Sequence, residues 1–412
     1  MEQLFTQALG LTAPWAVTGF DFRPAEGAIH FTAECQASRL PCPACGAVDQ
    51  PIHDRLPRRW QHLHFFQFKA YIEARVPRVA CSQCNKTSQC EVPWSRPGSG
   101  FSAVMEAFVI ALCQGMPVAQ VARLLGVSDE RVWRVLEHYI PKARTEESMT
   151  SMSKLAVDET SSRRGAFISV FFDAEQRRLV YATPGRNAAT FRAFAEDLRQ
   201  RGGAPEAITD VSMDMSKAFQ AGARAQCPQA RISFDPFHVV QLASTALDQV
   251  RRAETKRAPE LKGSRWALLK SSKKWSPQQI QTMHHLQRSG LQTARAWRMK
   301  EALRQIFRDA HTRTEAEPLL RGWISWARRC RLAPFKRVGQ TLKDHLEGIL
   351  NHFSSGLSNG FLESMNGLIQ AAKSRARGYR TDQRLILMAY LVCGKLKHLP
   401  SNPWLTAAAK PA

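Results

Sequence analysis

"LAVDETSSRRGAFISVFFDAEQRRLVYATPG", Leu155 to Gly185, decides the fold. "LAVDETSS" is a short strand. "GAFISVFFD" is nearly all apolar, as a central strand covered on both faces must be. "RRLVYATPG" follows as a third strand and closes at a Pro-Gly turn. Downstream, "NAATFRAFAEDLRQRG" has helical spacing of its apolar residues and stops at Gly202. "EAITDVSMDMS" is another strand, "SKAFQAGARAQC" a helix, and "ARISFDPFHVVQ" a strand running into a helix.

The order is three strands, helix, strand, helix, strand, helix. That succession predicts a ribonuclease H-like mixed sheet, three antiparallel strands followed by parallel ones. Asp158 then sits on the first strand. Asp214 sits at the end of the fourth, which lies beside the first, so both carboxylates point into one crevice. Clustered carboxylates repel unless cations hold them, and Mg²⁺ takes oxygen ligands while keeping waters for phosphate. Glu159 and Asp210 are competing choices at these two places. Asp235 and His238, at the end of the fifth strand, are either auxiliary site residues or anchors of the strand-to-helix turn.

A third acid stands in "SNGFLESMNGLIQAAKSRARGYR", Ser358 to Arg380. Glu363 is the single carboxylate there, among Lys373, Arg375, Arg377 and Arg380. Read as a helix, the segment buries Leu362, Met365, Ile369 and Ala372. Glu363, Asn366, Gln370, Lys373 and Arg377 form a polar stripe. Pressed against the sheet edge, this helix delivers Glu363 to the metals, with Asn366 as an auxiliary residue. Lys373, Arg375 and Arg377 are expected to hold a nucleic-acid backbone.

The whole chain of 412 residues has a formal charge of +23 and a pI near 10.1. Such an excess favours polyanionic partners, because phosphate contacts release counterions. No stretch has 18 uncharged apolar residues, which argues against a membrane span. The start, "MEQLFTQALGL", lacks the basic region of a signal peptide. A cytoplasmic, nucleoid-associated protein is expected, and ten cysteines there point to thiols or metal ligands rather than disulfides.

Cys42 and Cys45 form one C-x2-C, and Cys81 and Cys84 form a second, with 35 residues between the pairs. Four thiolates close a tetrahedron around Zn²⁺ and leave no position for water, so the site is expected to be structural. His53 fits less well as a substitute ligand, and Cys35 and Cys90 lack ligand spacing. "RRWQHLHFFQFK" interleaves basic and aromatic residues, suiting either a DNA-facing hairpin or its core. "FQFKAYIEARVPRVAC" reads as two short strands, and "SRPGSG", Ser95 to Gly100, as a linker.

"MPVAQVARLLGVSDERVWRVLEHYI", Met116 to Ile140, reads as a helix-turn-helix. Val118, Val121, Ala122 and Leu125 share a face, Gly126 allows the turn, and Ser128 caps the next helix. Val132, Val135, Leu136 and Tyr139 continue the apolar face. Arg131, Trp133, Arg134 and His138 are left for the outer side, where a recognition helix meets the major groove.

The predicted organisation is a zinc-binding module over 1–100 and a helix-turn-helix over 101–148. A catalytic domain over 149–250 and 346–412 is interrupted by a basic helical insertion over 251–345. The insertion carries 23 Lys plus Arg against 7 Asp plus Glu. Its Trp266, Trp275, Trp297, Trp323 and Trp326 either pack between helices or brace distorted DNA.

With "CPACG", "CSQC", the helix-turn-helix, "LAVDE", "SMDMS", "FDPFHVVQ" and "SNGFLESMN" in this order, the chain resembles transposases of the ISL-three group of bacterial insertion sequences. The resemblance implies a DDE recombinase acting on the ends of its own element, with Asp158, Asp214 and Glu363 as the triad. Two Mg²⁺ (or Mn²⁺) ions are expected there: Asp158 bridges both, and Asp214 and Glu363 each hold one. Expected partners are double-stranded DNA, as terminal inverted repeats and target, and a second copy of the chain on paired ends. The competing readings are a non-catalytic DNA-binding regulator and a metal-dependent nuclease that never joins strands.

Overall fold

A computed structural model describes residues 1–270, 272–355 and 360–403. The chain forms two compact units, Met1–Arg144 (counted with the residues after Leu396) and Thr145–Leu396. Among the described residues no helix is long and apolar enough to cross a membrane.

The first unit begins with α1 (Glu2–Ala8) and a six-stranded sheet. Its strands are β1 (Trp15–Arg23), β2 (Ala28–Cys35), β3 (Arg39–Leu40), β4 (Gln50–Phe65), β5 (Phe68–Ala80) and β6 (Thr87–Gln89). The order is β1-β2-β5-β4-β3, with β6 on β5. The segment expected to form two short strands is therefore one, β5. Pro77 lies within this strand. It stands just where the partner changes: β5 pairs with β2 as far as Ala74 and with β6 from Arg78 onward. No ladder donor is needed at that position. Phe31, Trp60, Ile72 and Val76 form the core of this sheet.

Three helices complete the unit: α2 (Ala103–Gly115), α3 (Val118–Leu125) and α4 (Asp129–Glu146). Gly126 ends α3 with φ 65°, a left-handed turn that glycine adopts without a Cβ penalty. Val118, Val121, Ala122, Leu125, Val132, Val135 and Leu136 are all buried. The expected linker at Ser95–Gly100 is instead fastened down. Glu106 of α2 is fully buried and accepts from Arg96, Ser99 and Tyr139.

The second unit is built on β7 (Lys154–Arg163), β8 (Ala166–Asp173), β9 (Arg178–Pro184), α5 (Ala188–Gln200), β10 (Asp210–Met213), α6 (Lys217–Gln226), β11 (Arg231–Phe234) and α7 (Pro236–Glu254). The sheet order is β11-β10-β7-β8-β9. β7, β8 and β9 are antiparallel, while β10 runs parallel to both β7 and β11. This is the ribonuclease H-like order of the sequence reading. β8 is buried from Ile168 to Asp173, as its apolar run requires.

The stretch expected to form the insertion, 251–345, carries α8 (Arg265–Leu269), α9 (Pro277–Arg288), α10 (Gln292–Asp309), α11 (Arg313–Arg329) and α12 (Ala333–Asp344), and α13 (Leu346–Ser355) follows it. Trp275, Trp297 and Trp323 pack among these helices, whereas Trp266 and Trp326 are exposed. α14 (Gly360–Arg375) and α15 (Asp382–Cys393) then return to the sheet. Leu362, Ile369 and Ala372 face inward as predicted, and Met365 is half-buried. Ser358 and Asn359 of the expected motif lie outside the described residues. Tyr390 of α15 accepts the amide of Ala182 in β9 at 2.9 Å, which ties this terminal pair to the far edge of the sheet.

Candidate active site and zinc centre

The register of the parallel strands assembles the acids. Ser212 of β10 lies opposite Ala156 of β7, and Met213 lies opposite Phe234 of β11. Two residues beyond Ser212 and Ala156 come Asp214 and Asp158. One beyond Met213 and Phe234 come Asp214 and Asp235. Three carboxylates thus stand in a row across three adjacent strands, with Asp214 and Asp235 just past the carboxyl ends of β10 and β11 and Asp158 midway along β7. Parallel strands bring equivalent positions level, so the row follows directly from the topology.

The electrostatics match that placement. Burial pushes the Asp158 carboxyl up to about 6, and the charges of Asp214 and Asp235 push the same way. The Glu159 amide donates to Asp158 Oδ1 at 2.7 Å and favours the charged form, as does His238, whose Nε2 lies 3.9 Å from that oxygen. Asp235 is raised by burial and by the nearby charge of Glu363. It also caps α7, accepting from the Phe237 amide at 2.7 Å. Asp235 thus anchors the strand-to-helix turn while standing beside Asp214 in the row. Asp214 accepts from the Ser216 amide at 2.9 Å.

α14 is fastened to β7 by its polar stripe. Asn366 Nδ2 donates to Asp158 Oδ2 at 2.5 Å. Gln370 Nε2 donates to Thr160 Oγ1 at 2.6 Å and to the Ser161 carbonyl at 3.0 Å. Lys373 Nζ donates to the Ser161 carbonyl at 2.7 Å. Glu363, three residues before Asn366 on the same face, is carried about 4.5 Å farther along the axis and is exposed.

The competing acids fall elsewhere. Glu159 faces Arg186 at 3.3 Å. Asp210, at the opposite end of β10, is buried and pairs with Arg231 at 2.9 Å.

Several expected DNA contacts need correction. Trp133 is buried, not outward. It adjoins the Val132–Leu136 stripe, and an indole is large enough to widen that stripe inward. Arg131 is drawn over the Phe101 ring at 4.2 Å and donates to the Gly100 carbonyl at 2.9 Å. Arg134 and His138 are exposed. Lys373 is half-buried against Ser161 rather than free for a backbone. Arg377 lies past the end of α14 with φ 56°, just before Gly378 at φ 97°, so it leaves the stripe; Arg375 stays on the helix and is exposed.

In the first unit Cys42, Cys45, Cys81 and Cys84 bring their sulfurs within 4.8 Å of one another. Cys42 and Cys84 are 3.8 Å apart, and Cys45 and Cys81 are 3.5 Å apart. A tetrahedron with metal–sulfur bonds of about 2.3 Å has sulfurs about 3.8 Å apart, so the set fits zinc. Among the described residues this is the one group of three or more such ligands that close together; the acidic row is more open. Amides of Cys84 and Gln83 hold the Cys81 thiol down to about 7. Cys45 receives a favourable amide bond from Ala47, yet the Cys81 sulfur pushes it up to about 12. One thiolate-prone sulfur beside a resistant one is what a cation resolves.

The two cysteine turns are alike. Gly46 donates to the Cys42 carbonyl at 2.9 Å, and Asn85 donates to the Cys81 carbonyl at 3.0 Å. Their φ values are 76° and 54°. The sequence reading missed Asn85, although Asn is the residue besides glycine that best tolerates this region. His53 is exposed beside Asp54 and stays outside the cluster. In the hairpin, Trp60 is core while Phe66 at the tip is 81% exposed.

Comparison with known proteins agrees with each part. Residues 39–84 match the zinc-finger of transposase IS204/IS1001/IS1096/IS1165. With the four-sulfur geometry this makes the cluster a structural zinc site. Residues 90–140 match the helix-turn-helix domain of transposase family ISL3, and residues 155–389 match the transposase domain of the same family. The transposase for insertion sequence element IS1557 of Mycobacterium tuberculosis is 30% identical over 382 residues, covering 84% of this chain and 83% of its own. The transposase for insertion sequence element IS1001 of Bordetella parapertussis is 26% identical over 361 residues, covering 84% and 87%. A family match across more than half the chain, together with the zinc-finger and helix-turn-helix matches, establishes that this chain belongs to the ISL3 family of transposases.

Proposed function

We propose that this transposase binds the ends of its insertion sequence and catalyses DNA strand cleavage and strand transfer at Asp158, Asp214 and Glu363. The observation that carries the reading is the row of Asp158, Asp214 and Asp235, with Glu363 close enough to raise Asp235. Such mutual repulsion among oxygen donors fits hard divalent cations. Asn366 Oδ1 is buried without a hydrogen-bond partner among the described residues, an acceptor left ready for a metal-bound water or a substrate hydroxyl.

When bound, a pair of Mg²⁺ or Mn²⁺ ions supplies positive charge that acidifies the attacking hydroxyl and stabilises the leaving 3′-oxygen. Asp158, Asp214 and Glu363 would be the residues that hold these ions. Asn366 fixes the orientation of the Asp158 carboxylate. His238 beside Asp158 favours its charged form, while Asp235 adds a further carboxylate to the row. Arg134 and His138 on α4 are the exposed side chains suited to reading end DNA. The most economical division of the chain keeps a zinc module, a helix-turn-helix, and a catalytic domain split by the basic insertion. Two copies, one on each end, would allow both ends to be joined.

The test is incubation of the purified chain with end-containing duplex, with and without Mg²⁺ or Mn²⁺. Cleavage and joining are expected with metal and from the wild type only. Asp158→Asn, Asp214→Asn and Glu363→Gln should each abolish both steps yet keep end binding. Full cleavage by one of these variants removes that residue from the site, and cutting without joining leaves a nuclease.

A further inference from the structure

The insertion contains a concave basic surface that the acidic row does not use. A groove of about 500 Å³ is lined by Arg321, Arg328 and Arg329 of α11 and by Lys343 of α12, with Ile324 and Leu346 as its apolar floor. The spacing 321, 324, 328 places these α11 residues on one helical face. Gly339 of α12 permits the close approach. A Cβ there would meet Ala327 at 2.9 Å and the backbone of Arg328 at 3.3 Å.

The charges in this groove are poorly compensated. Arg321 is bound by Glu317 at 2.7 Å. Arg328, Arg329 and Lys343 form no ion pair among the described residues; Arg329 donates only to the Ser325 carbonyl. The neighbouring acids are engaged elsewhere. Glu347 is held by Arg313 at 2.9 Å, and Asp344 accepts from Gln340 at 2.7 Å. Like charges held around a concavity repel one another, which destabilises the fold unless an anion completes them.

We propose that this groove is a second nucleic-acid contact, a cradle for the backbone phosphates of duplex DNA that works independently of the helix-turn-helix. The inference rests on the reading of the chain as a DNA transposase, and it adds a sequence-independent grip within the insertion. A polyanion is the occupant that the charge selects. Three otherwise unpaired cations in one groove match consecutive phosphates rather than a single carboxylate.

The test measures binding of the full chain to a labelled duplex of random sequence at several salt concentrations. The variant Arg328→Gln/Arg329→Gln/Lys343→Gln removes three cations. If all three meet phosphates, the slope of log affinity against log salt becomes shallower by about 2–3. A charge-matched control, Lys256→Gln/Arg288→Gln/Arg298→Gln, removes three exposed cations outside the groove. It should change the slope by less than about 1. Arg328→Lys/Arg329→Lys keeps the charge and should keep the wild-type slope, which guards against loss of fold. An unchanged slope in the groove variant, or an equal change in the control, overturns the proposal. Failure of the wild type to cleave end DNA would sink the catalytic reading instead, and would leave these slopes measurable.

Discussion

Asn366 Nδ2 lies 2.5 Å from Asp158 Oδ2, although 208 positions separate the two residues in the chain. This bond joins the last helix of the site to its first strand. It also supplies a donor to a carboxylate whose charged form burial disfavours. Asn366→Ala leaves that oxygen without its partner, at a cost of about 1–3 kcal/mol when the group is buried. The expected result is a drop in cleavage rate of roughly 10- to 100-fold with end binding retained. Single-turnover cleavage beside a gel-shift assay separates the two effects.

The raised Asp158 has a consequence for stability. Its folded value is about 6 against an ordinary 3.8. The folded state then binds the proton more tightly than the unfolded one, so stability falls as pH rises between these values. The cost is absent below about pH 4 and complete above about pH 6. Metal-free Asp158→Asn should therefore be more stable than the wild type at pH 7, by about 1–3 kcal/mol. The difference should vanish near pH 4. Thermal melts across this range check the sign, and added Mg²⁺ should raise the wild-type melting temperature while leaving the variant's unmoved.

Zinc should be present at about one ion per chain and lost on Cys42→Ser or Cys81→Ser, measured by metal analysis of the purified protein. The paired cysteine turns give a finer test. Asn85→Gly should hold zinc nearly as well as the wild type. Asn85→Val forces a β-branched residue to φ 54° and should cost about 1–2 kcal/mol. Faster release of zinc to a chelator from the Val variant alone is the expected readout.

On α4, two neighbours should behave oppositely. Arg134→Ala removes an exposed cation, weakens end binding and makes the salt slope shallower by about 1. Trp133→Ala removes a buried indole and should destabilise the first unit by about 3–5 kcal/mol. A melting curve and a binding isotherm on each variant distinguish the roles.

Much of this was legible from local pattern. Strand order in the second unit followed from apolar runs and turn residues, and with it the placing of Asp158 on the first strand and Asp214 at the end of the fourth. The C-x2-C pairs declared their ligand set through spacing alone. What stayed hidden depends on partners distant in sequence. Ser95–Gly100 has the composition of a linker, but its composition cannot reveal that Glu106 gathers Arg96 and Ser99. Arg131 and Lys373 looked available because the Gly100 and Ser161 carbonyls that claim them belong to other elements. Trp133 was misplaced because a helical wheel knows angles and not side-chain size. The position of Arg377 was readable: the following Gly378 marks a helix end, and that signal outweighs the charge pattern.

The separation of β7 from α14 also sets an order of events during synthesis. Glu363 is made 205 residues after Asp158. At about 5–20 residues per second, a ribosome takes roughly 10–40 s to cover that interval. Throughout it, the nascent polypeptide already holds its zinc ligands and its helix-turn-helix, while the Asp158 carboxylate still awaits Asn366. A growing chain is thus equipped to hold on before it is equipped to cut.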